Sequence, residues 1–330
     1  MVLGVVCFAS TLTVRGRETE LLNVSFDISR ELFGELNTAF AADWKSRTGE
    51  SVVIRQSHAG SSKQARAVMD GLEADVVTLN QATDLDTMAA RGVVSADWRK
   101  QFPGNASPYV STIVFLVRPG NPKQIRDWPD LVRPQIAVVL PNPKTSGNGR
   151  YSYLAAYAFA RHRLGHDETK AIQFLTSLLR NVPVLDTGGR AATTTFAQRG
   201  IGDVLLTFEA EAHLTARELG TQGFEVVRPN YNIEAEMPVA LVERVVKKKG
   251  SEKIARAYLD FLYSDAAQEI IARNGFRPRS PLVLARHAAA FGENSLFHVE
   301  TTLGSWGELH QRHFADGGTF DQISLNLHRP

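Results

Sequence analysis

From Leu21 onward, short β-branched runs alternate with stretches of helical periodicity, the pattern of parallel strands joined by crossover helices. Strands are predicted at Leu22–Phe26, Ser51–Gln56, Ala74–Thr78, Thr112–Val117, Gln135–Leu140, Val182–Leu185, Val204–Phe208 and Phe224–Val227. Apolar residues spaced by three and four predict helices over Arg30–Thr48, Lys63–Leu72, Leu85–Arg91, Arg150–Arg163, Thr169–Leu179, Thr193–Arg199 and Lys253–Ala272. An α/β chain with two lobes follows. Turn residues Pro103-Gly104-Asn105 precede a Tyr109–Val117 strand, and Pro229-Asn230-Tyr231-Asn232 precede a Pro238–Val242 strand; both read as crossings between lobes. Lobe I then holds residues 21–107 plus 229–330, and lobe II is the inserted block 108–228.

Composition narrows the chemistry. At 330 residues the chain has room for about two domains of roughly 150 residues. Cys7 is its only thiol, which excludes an internal disulfide, a CxxC pair and a cysteine metal cage. A net charge of +2 excludes the basic stripe of a nucleic-acid binder. Val2 to Val14 carries no charge, so residues 1–20 read as an export leader, although one without the usual preceding Lys or Arg; a first strand or a lipid-anchored Cys7 compete with that reading.

Small polar residues recur where a strand gives way to a helix: Ser25 to Glu31, Ser57 to Lys63, Asn142 to Arg150 and Asp186 to Arg190. Such junctions present unpaired N–H groups at the positive end of a helix, and in open parallel sheets they share one crevice. Singly, each is also an ordinary cap or turn. Other chemistries lack their motifs. There is no G-x-x-x-x-G-K-[ST] and no G-x-S-x-G; Ser57-His58 adjacency makes no dyad, and His58 reads as a loop brace. His162 and His166 read as an exposed helix end rather than a metal chelate, and Glu209 and Glu211 as the opening of a helix. No metal or cofactor is expected.

Seven blocks, in order, carry a resemblance: 21–27 (LLNVSFD), 52–58 (VVIRQSH), 73–79 (EADVVTL), 109–125 (YVSTIVFLVRPGNPKQI), 141–147 (PNPKTSG), 199–205 (RGIGDVL) and 317–323 (GGTFDQI). They resemble the periplasmic sulfate-binding proteins of ABC importers. The resemblance implies a type 2 periplasmic-binding fold, two α/β lobes closing over a ligand cleft, in a periplasmic monomer that delivers sulfate to an inner-membrane ABC permease. It also implies that the anion is held by N–H groups of Asp27, Ser61, Gly147, Asn148 and Gly189 and by the Ser146 hydroxyl, with Lys63 and Arg190 neutralising it from further out. Where that family carries a tryptophan whose indole donates to the anion, this chain has Phe208, which donates nothing. An oxyanion site is therefore expected, with sulfate and thiosulfate both open as ligand. Donor-only lining would reject phosphate, whose remaining proton needs an acceptor. The Asp27 carboxylate is expected to turn away and cap its own helix through the Ser29 or Arg30 N–H. An enzyme acting on a sulfated or phosphorylated substrate in the same cleft is the alternative, without a nucleophile–base pair to support it.

Overall fold

The computed structural model describes residues 19–218, 223–292 and 295–327. The expected leader lies outside these, except for Thr19 and Glu20, which open the first strand. The strands are β1 (Thr19–Phe26), β2 (Val52–Ala59), β3 (Val76–Thr78), β4 (Tyr109–Ser111), β5 (Ile113–Val117), β6 (Val138–Pro141), β7 (Leu185–Asp186), β8 (Val204–Phe208), β9 (Glu225–Val227), β10 (Tyr231–Ile233), β11 (Ala235–Glu236), β12 (Val239–Leu241), β13 (Arg277–Pro278) and β14 (Ser295–Phe297).

Two sheets carry the architecture. One has the order β12-β3-β1-β2 and the other β7-β6-β8-β5-β9. In β1 the last four residues are buried on both faces, including Val24 and Phe26, as helices covering both sides of a parallel sheet require. The sheets are mixed rather than wholly parallel. β12 runs antiparallel to β3, and β5 antiparallel to β8 and β9, because these strands arrive from the crossings and not from a βαβ turn.

The first crossing departs from the predicted continuous strand. Tyr109–Ser111 pairs with β11 and β13 in a small antiparallel sheet, while Ile113–Val117 pairs in the five-stranded sheet. The change of sheet occurs at Thr112, whose hydroxyl donates to the Ile233 carbonyl at 2.7 Å, tying one crossing to the other. The predicted Lys253–Ala272 helix is two helices, Glu252–Phe261 and Asp265–Arg273, since Ser264 caps the second by accepting from the Ala267 N–H. The predicted Thr193–Arg199 helix starts earlier, as Gly189–Thr193, and widens into a π-turn over Thr194–Gln198.

The helix Gly147–Arg163 is buried on every side from Gly147 to Ala160, which marks it as a central helix. Part of its cover comes from the C-terminal stretch: Tyr151 meets Trp306 edge-on at 5.4 Å, and Tyr153 meets Phe314 at 5.3 Å and Phe320 at 6.2 Å. Lys144 bonds Asp316 at 2.9 Å and Asp321 at 2.8 Å. The segment from Trp306 onward thus packs on the second sheet's helix. The aromatic face of the central helix needs a cover that its own sheet does not supply.

Candidate functional site

Four helix beginnings meet between the two sheets. Asp27 opens a 3-10 turn at the end of β1, Ser61 is the first residue of the helix Ser61–Met69 after β2, Ser146 caps the helix Gly147–Arg163 after β6, and Gly189 starts the short helix after β7. Contacts across the gap place them together. The Asp27 carboxylate accepts from the Arg190 N–H at 3.4 Å, Gln81 Nε2 donates to the Gly147 carbonyl at 3.3 Å, and a Cβ on Gly60 would stand 3.3 Å from the Thr145 carbonyl oxygen. A cavity of about 470 Å³ opens here, lined among others by Asp27, Gly60, Lys63, Thr145 and Gly188. Ser61, Ser146, Gly147, Asn148, Gly189 and Phe208 are all buried.

Close approach explains the glycines. A Cβ on Gly147 would overlap Asn80 Oδ1, and one on Gly189 would lie 2.5 Å from Ile28 Cδ1 and 3.1 Å from Asn148 Nδ2. The Asn148 side chain is occupied elsewhere, donating to Thr207 Oγ1 at 3.0 Å and accepting from Ser152 Oγ at 3.2 Å. Its side chain is thereby held on its own lobe, by Thr207 and Ser152. The Ser61 hydroxyl is spent as well: it donates to Asp84 Oδ2 at 2.7 Å, while Ser62 donates to Asp84 Oδ1 at 2.8 Å. Ser146 Oγ accepts from the Gly149 N–H at 3.4 Å, which leaves its own proton to donate.

The cations near the site are mostly matched by carboxylates. Arg190 pairs with Glu31 at 3.0 Å and with Glu211 at 3.2 Å. Arg150, buried in the first turn of the central helix, lies 3.8 Å from Asp84, donates to Thr83 Oγ1 at 3.1 Å and donates to the Pro143 carbonyl at 3.0 Å. Lys63 is exposed at the cavity's mouth. The Asp27 carboxylate caps differently from expectation, accepting from the Ile28 N–H at 3.1 Å and reaching across to Arg190 N–H, because a 3-10 turn separates it from the helix proper. Phe208 ends β8 with its ring 5.8 Å from Tyr151 and no exposed surface.

His58, His162 and His166 take no part. His58, expected in a loop, is instead the penultimate residue of β2; its Nδ1 lies 3.2 Å from the Phe26 carbonyl of β1, its Nε2 meets Gln56, and its burial holds its pKa below the usual histidine value. His162 stacks on Tyr231 at 4.4 Å, while His166 lies beyond the helix end with φ 61°.

Glu211 does open a helix, but its carboxylate is buried at 1% exposure, and desolvation outweighs Arg190 to push its pKa up to about 7. A carboxyl raised by folding stabilises fully below its unfolded value and loses that contribution as pH rises through the folded value. Stability is therefore expected to fall by about 3 kcal/mol between roughly pH 4.5 and pH 7 on this account. Glu211→Gln should flatten that slope in urea unfolding measured across pH; an unchanged slope would assign it to other groups.

Asn80, Gln81 and Asp84 lie outside the junctions read from the sequence. Asn80-Gln81 follows the predicted Ala74–Thr78 strand after one residue, Leu79, so the rule that marks the other junctions also reaches this one. Arg150 ends the Asn142–Arg150 junction and starts a predicted helix, but its pairing with Asp84 spans 66 residues of chain.

Residues 31–277 match the model of the family described as bacterial extracellular solute-binding protein. The thiosulfate-binding protein of Pseudomonas aeruginosa is 55% identical over 304 residues, 92% of this chain and 91% of that one. The sulfate-binding protein of Escherichia coli is 50% identical over 321 residues, 97% of this chain and 98% of that one. Among solved structures, the sulfate-binding protein SubI from Mycobacterium tuberculosis H37Rv superposes with a TM-score of 0.81 at 32% identity, covering 90% of this chain and all of that one.

Proposed function

The chain belongs to the bacterial extracellular solute-binding protein family, and from that premise we propose that it captures sulfate or thiosulfate between its lobes for delivery to an ABC importer. The observation that carries this reading is the convergence of the buried Ser146-Gly147-Asn148 helix start on Asp27 and Ser61 of the opposite sheet, with Arg150 and Arg190 already held by carboxylates. A dianion set there meets the N–H groups of Asp27, Ser61, Gly147, Asn148 and Gly189 and the Ser146 hydroxyl. Their partial charges, backed by the macrodipole of a 17-residue helix, balance it without direct contact from a cation.

Binding is reversible and without turnover in this reading. Donors from both lobes satisfy one anion only when the lobes are closed, so the ligand itself shifts the equilibrium toward closure. The lobes divide at the two crossings, 107–112 and 229–234, with the segment from Trp306 riding on lobe II. The working form is an exported, periplasmic monomer that docks on its permease; Lys63 adds positive potential at the entrance.

Titration calorimetry with sulfate, thiosulfate and phosphate tests the reading. Both sulfur oxyanions should bind and phosphate should not. Ser146→Ala should cost about 1.5–3 kcal/mol of sulfate affinity, the worth of a hydrogen bond to a charged group. Unaltered affinity would take that hydroxyl out of the site.

A further inference from the structure

Asn80 and Gln81 form a fifth junction, between β3 and the helix Ala82–Ala90, and both side chains are buried, at 3% and 0% exposure. Asn80 stands between two of the proposed donors. Its N–H donates to Ser61 Oγ at 3.3 Å, and its Oδ1 occupies the space that a Cβ on Gly147 of the opposite lobe would need. That Oδ1 has no hydrogen-bond partner among the described residues, and neither has Gln81 Oε1, but Gln81 Nε2 is anchored on the Gly147 carbonyl at 3.3 Å. A buried amide end without a partner calls for an explanation. An anion seated against Gly147 supplies one, because a half-turn of the carboxamide exchanges oxygen for an NH₂ with two donors.

Resting on the oxyanion reading above, we propose that the Asn80 side-chain amide donates to the bound anion across the cleft, in place of the donor that Phe208 cannot offer. Asn80 is then a ligand-binding residue that selects for fully deprotonated tetrahedral anions. Gln81 holds the Gly147 peptide in position for the same ligand.

Calorimetry with sulfate as probe decides this, on the full chain, with Ser146→Ala as the control for the site and thermal unfolding of each ligand-free variant as the control for folding. Asn80→Ala should weaken sulfate binding about 10- to 100-fold. Asn80→Asp, nearly the same shape but acceptor-only, should weaken it by about 100-fold or more. Wild-type affinity in both Asn80 variants, with loss in Ser146→Ala, would overturn the assignment and leave the oxyanion reading standing. No sulfate binding by the unaltered protein would remove that reading and the assignment with it. Phosphate bound as tightly as sulfate would show the amide oxygen, not its nitrogen, facing the ligand, and would also overturn the assignment.

Discussion

Gly149→Ala is expected to weaken oxyanion binding about a thousandfold. Gly149 lies in the first turn of the central helix, and a Cβ there would drive into the Pro141 carbonyl oxygen and stand 2.8 Å from both the Asn142 carbonyl carbon and the Pro143 nitrogen. All three are backbone atoms, so no rotamer change relieves the clash. Either the helix start or the loop after β6 must move. Ser146, Gly147 and Asn148 sit on that stretch, and losing two of their donors at about 1.5–3 kcal/mol each gives the thousandfold figure. Stability should change far less, since overpacking costs about 1–3 kcal/mol while alanine regains up to about 1 kcal/mol of helix propensity. Calorimetry beside thermal unfolding separates the two effects. A dissociation constant within fivefold of the parent would mean that the loop yields without disturbing the donors.

Glu209→Ala should cost about 3–5 kcal/mol of folding stability. Glu209 has no exposed surface; Arg277 Nε reaches it at 2.7 Å and Arg228 Nε at 3.0 Å, and Arg277 also donates to the Phe291 carbonyl. Deleting the carboxylate strands a guanidinium that is only 7% exposed. The pair joins the end of β8 to β13 of the small sheet at the crossing, and the Glu209 N–H donates to the Thr112 carbonyl at 2.9 Å, so the loss falls where the lobes connect. Replacing the buried pair, as Glu209→Leu with Arg277→Met, should recover part of the stability, because a buried ion pair is worth little more than apolar residues of similar volume, while Arg228 keeps His213 and the Ala290 carbonyl as partners. Urea unfolding reads both variants. A loss below about 1 kcal/mol for Glu209→Ala would show that Arg277 finds another partner or water.

The contrast between Glu209 and Gly149 illustrates what a sequence discloses. Reading Glu209 as a helix opener was sound, since it begins the Glu209–Glu218 helix. Its two arginines stand 19 and 68 residues further along the chain, beyond the reach of local patterning. The Arg190 side chain is similar: expected to neutralise the anion from further out, it is shared between Glu31 and Glu211, 159 and 21 residues away. Nothing in the local pattern marks Gly149 as a tight contact, because the folded backbone of Pro141, Asn142 and Pro143 opposite it is what makes the position intolerant of a side chain.

Local physics wrote the element pattern, the strand-to-helix junctions and their donors into the chain, since alternation, helical spacing and capping residues act over a few positions. Arg30–Thr48 and Val204–Phe208 lie where the pattern puts them. The folded structure alone decided which junctions face each other, which charges are spent on partners, and that Asn80 stands between Ser61 and Gly147. Those outcomes depend on distances between residues far apart in sequence, which exist only once the two sheets have closed on one another.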